Sequence, residues 1–110
     1  MINKDMSVAV IGPPSFITSF ELIGAAGFES SSGEAVAQTL SRLIDEGRFQ
    51  LIIIPERFAE QTRPVREAVM RKGEITPVFA LIPDFTLETG MRMEELQEVV
   101  SLAIGTRLEL

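Results

Sequence analysis

"QLIIIPERF", residues 50–58, is the stretch on which the fold turns. Leu51 to Ile54 are apolar without a break, and most of them are β-branched. A strand with one wet face alternates apolar and polar residues. A continuous run instead marks a strand buried on both faces, as in a parallel sheet covered by helices. Pro55 closes the run. Toward the N-terminus, Ser32 to Glu46 has helical periodicity, with Val36, Leu40, Leu43 and Ile44 on one stripe. Ser30, Ser31 and Ser32 offer N-cap oxygens, Glu34 falls in the positive first turn, and Gly47 suits the left-handed position after the last turn. Toward the C-terminus, Glu56 to Lys72 reads as a helix with a fault. Pro64 cannot donate an interior helical hydrogen bond, so the spacing predicts one turn, a break, and a new helix from Pro64, ending at Gly73. Val65, Ala68 and Val69 are its inward residues.

The same grammar extends to both ends. Ser7 to Gly12 (SVAVIG) is a second strand of the buried kind, stopped by Gly12-Pro13-Pro14. Ser15 to Gly24 places Phe16, Phe20 and Ile23 at i, i+4 and i+7, a short helix that Ser15 can cap. Phe28 and Glu29 are assigned to a short strand. Pro77 to Ile82 is the last strand. Met93 to Ile104 is the last helix, with Leu96, Val99, Val100, Ala103 and Ile104 on one face and Gly105 ending it.

Strands and helices therefore alternate along the chain. Alternation of this kind imposes parallel pairing through right-handed crossovers. The expected fold is α/β: a small doubly wound, Rossmann-like or flavodoxin-like sheet of four parallel strands in the order 2-1-3-4, forming one domain over residues 1–110. The first and last helices should cover one face and the middle two the other.

Composition narrows the chemistry. The 110 residues contain no Cys and no His, which removes thiolate nucleophiles, the commonest general base and the commonest metal ligands. Trp and Tyr are absent too. The net charge of −6, with no basic patch, argues against nucleic acid, whose affinity comes largely from neutralised phosphates. No run approaches 18 apolar residues, so no membrane-inserted helix is expected, and MINKDMSVAV lacks a signal-peptide core. The reading from this is cytoplasmic.

In such a fold, ligands bind at the carboxyl ends of strands near the switch in strand order. Those ends read IGPPSF, IIIPERF and LIPDF. A dinucleotide or P-loop site needs glycine amides, and Pro13 and Pro14 remove two donors. A phospho-receiver site needs acidic residues where Gly12-Pro13 and Pro55-Glu56 stand. A flavin has no Trp or Tyr to stack on. Ser30-Ser31-Ser32-Gly33 can hold an anion at a helix N-terminus, but capping is the commoner use. Glu56, Asp84 and Glu88 can converge for acid–base work, although carboxylates there are commonly just solvated. No cofactor is expected. Beyond the last strand, "PDFTLETGM" carries Phe85, Leu87, Met91 and, just after it, Met93 in a segment that otherwise reads as loop. Apolar residues there suit a surface covered by another protein, methionine being common at adaptable interfaces. Phe28, on an edge strand, is the next candidate for a contact.

The run "TPVFALIPDF…TGMRMEELQEVVSLAIGTRLEL" resembles the small F subunit of V-type and A-type ATPases and ATP synthases. The matching residues are Pro77, Ile82-Pro83, Gly90, Glu95, Val99 or Val100, and Ala103-Ile104-Gly105. "VAVIG" fits that family's first strand. "SFELIGAAGF" is similar to its Gly-Phe-x-x-x-Gly element, with Ser19 in place of Gly, and "LIIIPERFAEQ" to its third strand and following element, with Pro55 in place of Thr. Pro13 and Pro64 depart from the pattern. The resemblance implies a non-catalytic subunit of a central rotor stalk, bound to the coiled-coil D subunit among other subunits. It implies a cytoplasmic, peripheral place in a membrane-bound complex that couples ATP turnover to ion or proton transport. The last helix would pack down on the sheet or extend along the stalk. Two rivals stand beside it: a small-molecule-binding or regulatory receiver-like domain without a phosphoacceptor, and a small enzyme using Glu56 and Asp84.

Overall fold

The computed structural model describes residues 7–83 and Glu98. Strand β1 (Val8–Gly12) leads to helix α1 (Pro14–Glu21), strand β2 (Ala26–Glu29), helix α2 (Gly33–Glu46) and strand β3 (Leu51–Pro55). A single 3-10 turn (Glu56–Phe58) opens helix α3 (Ala59–Arg71), and β4 (Val78–Ile82) follows. The sheet has four strands in the order β2-β1-β3-β4, every pair parallel, as the alternation predicted. The helix read over Met93–Ile104 lies outside the described residues except for Glu98, which is helical and exposed.

The register explains how the apolar runs are used. Val8 opposes Leu51, and Leu51 opposes Val78, so three apolar runs lie abreast. Val8, Val10, Leu51, Ile53, Ala80 and Ile82 point to one face, where Phe16, Ile17, Phe20 and Ile23 cover them. Ala9, Ile11, Ile52 and Ile54 point to the other, under Val36, Leu40 and Leu43 of α2 and Phe58. All five residues of β1 and of β3 are buried. Full burial of each large aliphatic or Phe side chain contributes about 1.5–3 kcal/mol, so these two central strands and the helix residues that cover them hold most of the apolar stabilisation. The edge strands are only partly covered, with Phe28 on β2 and Phe79 and Leu81 on β4 half-buried.

Proline sets several boundaries differently from the sequence reading. Ser15 does not cap α1: Pro13 is the N-cap and Pro14 is the first helical residue. Proline suits that position because its missing N–H would have had no helical partner and its φ is already helical. Pro55 does not end β3 but belongs to it, opposite Ile82 of β4. The β1–β3 ladder, however, stops at Val10 and Ile53. Pro55 has no N–H to carry that side further. Helix α3 does not break at Pro64; it runs from Ala59 to Arg71 with the proline inside. The turn before Pro64 is braced by side chains. Thr62 Oγ1 donates to the Phe58 carbonyl at 2.8 Å and the Ala59 carbonyl at 3.3 Å, and Arg66 Nη2 donates to the Ala59 carbonyl at 2.8 Å.

Helix α2 follows its sequence cues. Ser32 Oγ accepts from the Ala35 amide at 3.1 Å, and Gly47 closes the helix at φ +68°, the left-handed region that favours glycine.

Candidate functional site

The crevice at the carboxyl ends of β1 and β3 is where an α/β domain of this kind holds a ligand. Among the described residues, hydrocarbon packs against it at Gly12. A Cβ built on Gly12 would stand 2.9 Å from Phe16 Cδ2 and 3.2 Å from Pro55 Cγ, so the two rings fill the space beside the Gly12 backbone. Phe16 is itself buried and leans on Phe20 at a centroid distance of 5.0 Å.

Several polar groups nearby are already committed. Pro14 has no N–H, and the Phe16 and Ile17 amides both donate to the Pro13 carbonyl, at 2.9 and 3.1 Å. The first turn of α1 therefore offers little to a phosphate, whose binding relies on free helix N-terminal amides. The Gly12 carbonyl accepts from the Ser30 amide at 2.8 Å, tying the end of β1 to the β2–α2 turn. Of the serines in that turn, Ser32 is the helix cap. Glu56 is exposed at the start of the 3-10 turn. Asp84 and Glu88 lie outside the described residues.

Phe85, Leu87, Met91 and Met93 lie outside the described residues as well. Phe28 is half-buried on the edge strand β2; its ring meets Phe49 edge-on at 5.7 Å, and the Arg42 guanidinium sits 6.0 Å from it. It thus both packs on the core and leaves part of itself at the rim. The large apolar residues that stand fully out are elsewhere. Leu22, Met70 and Ile75 are the exposed ones among the described residues, and all lie in or beside the turns that enter strands, at the opposite end of the sheet from the ligand crevice.

Two features escaped the sequence reading. Thr62 is completely buried although polar, and Arg66 beside it donates through Nε to Thr62 Oγ1 at 3.2 Å. Partial burial, with Arg63 close by, lowers the Arg66 guanidinium pKa below its ordinary value. The four-residue spacing of Thr62 and Arg66 around Pro64 was the available signal. The second feature is an open groove of about 310 Å³ between α2 and α3, lined by Ile44 and Asp45 on one side and Pro64, Ala68 and Lys72 on the other. Among the described residues, no helix is long and apolar enough to cross a membrane.

These observations define a small doubly wound α/β domain in which, among the described residues, Phe16 and Pro55 pack against the end of β1 where a glycine loop would open a ligand site. A family model for the ATP synthase (F/14-kDa) subunit matches residues 8–100, and the chain belongs to that family. Relatives agree along almost the whole length. The F subunit of the V-type ATP synthase of Thermus thermophilus is 28% identical over 107 residues, covering 94% of this chain and 100% of the relative. The F subunit of the A-type ATP synthase of Methanococcus maripaludis is 27% identical over 105 residues, with 94% and 100% covered. The V-type counterpart of Fusobacterium nucleatum is 24% identical over 102 residues, with 92% and 93% covered.

Proposed function

We propose that this chain is the F subunit of a V-type or A-type ATP synthase and works as a non-catalytic part of the central rotor stalk. It binds the coiled-coil D subunit and supports the coupling of ATP turnover in the head to ion transport through the membrane ring. It stands on the cytoplasmic side as a peripheral component. The observation that carries this reading is the family match over residues 8–100, with relatives named as F subunits aligned over their full length.

The closed crevice supports the same reading. Catalysis or nucleotide binding at the strand ends needs free amides or convergent titratable groups. Here Phe16, Pro55 and the Pro13 carbonyl occupy those positions. The partner face is assigned to Phe85, Leu87, Met91 and Met93, with Phe28 as a secondary contact. The test is a purified complex from which this chain has been removed. ATP-driven ion transport should fall relative to ATP hydrolysis, and adding the chain back should restore the ratio. Transport that is unchanged by removal and return of the chain contradicts the proposal.

A further inference from the structure

We draw no further inference here: the strongest candidate, the open groove between α2 and α3 lined by Ile44, Pro64 and Ala68, is an unpartnered apolar face, and nothing in the structure shows what covers it.

Discussion

Replacing Gly12 by Ala tests whether the strand-end crevice is filled as tightly as the geometry indicates. Gly12 lies in an extended strand, so an alanine meets no backbone penalty there, and the stiffer unfolded chain alone would favour it by about 0.4–1 kcal/mol. The added methyl, however, would stand 2.9 Å from Phe16 Cδ2 and 3.2 Å from Pro55 Cγ. Carbon atoms prefer about 3.5–4.0 Å, so the Phe16 contact is short by roughly 0.6 Å. The ring has little room to retreat, because Phe16 is 6% exposed and backs onto the fully buried Phe20. Overpacking of this kind costs about 1–3 kcal/mol, so the net expectation is a destabilisation of about 1–2 kcal/mol. At about 4–8 °C per kcal/mol, thermal unfolding should fall by on the order of 5–15 °C. Urea unfolding gives the free energy directly. Phe16→Leu should make room for the methyl, so the double variant should lose less than the two single losses added together. A Gly12→Ala protein as stable as the wild type, with no coupling to Phe16→Leu, would refute the picture of a closed crevice.

Other perturbations reach different parts of the molecule. Ser32→Ala removes the acceptor for the Ala35 amide and should cost about 0.5–2 kcal/mol in urea unfolding, while Ser32→Asp should keep nearly all of it. Gly47→Ala forces a side chain into φ +68° and should cost about 1 kcal/mol by the same assay. Pro64→Ala should stabilise α3 by roughly 1 kcal/mol or more, since a helical N–H replaces the proline ring, and a loss of stability would show that Pro64 is part of a needed bend. Leu87→Asp with Met91→Asp should leave thermal unfolding unchanged and weaken binding to the coiled-coil subunit at least tenfold, and unchanged binding moves the contact face elsewhere.

The sheet was legible because its signals are strong and agree. Continuous apolar runs at Val8–Ile11 and Leu51–Ile54, separated by a helical stripe at Val36, Leu40 and Leu43, leave few arrangements other than a parallel sheet in the order found. Three of the misread boundaries involve proline, where a local rule misses its tertiary context; β2, read at Phe28 and Glu29, in fact begins at Ala26. Pro64 was expected to break α3, yet Thr62 and Arg66 take up carbonyls in the turn before it. Pro55 was expected to stop β3, yet it pairs with Ile82 on one side and lacks only a donor on the other. Ser15 was expected to cap α1, yet the Pro13 carbonyl takes the first amides. At the site, the loss of amide donors to proline at the end of β1 was readable, but the filling by the Phe16 ring was not, because it depends on how α1 docks. The groove between α2 and α3 was invisible for the same reason: Asp45 and Lys72 are far apart in sequence and come to one groove only when the helices pack.

The stalk role is tested most directly by mixing this chain with the same source's coiled-coil stalk subunit and running size-exclusion chromatography with light scattering. A stalk subunit co-elutes with it as a one-to-one complex, with neither free component remaining at equimolar concentrations. Two well-folded proteins that elute separately at concentrations on the order of tens of micromolar, well above the Kd of a specific stable interface, would contradict it.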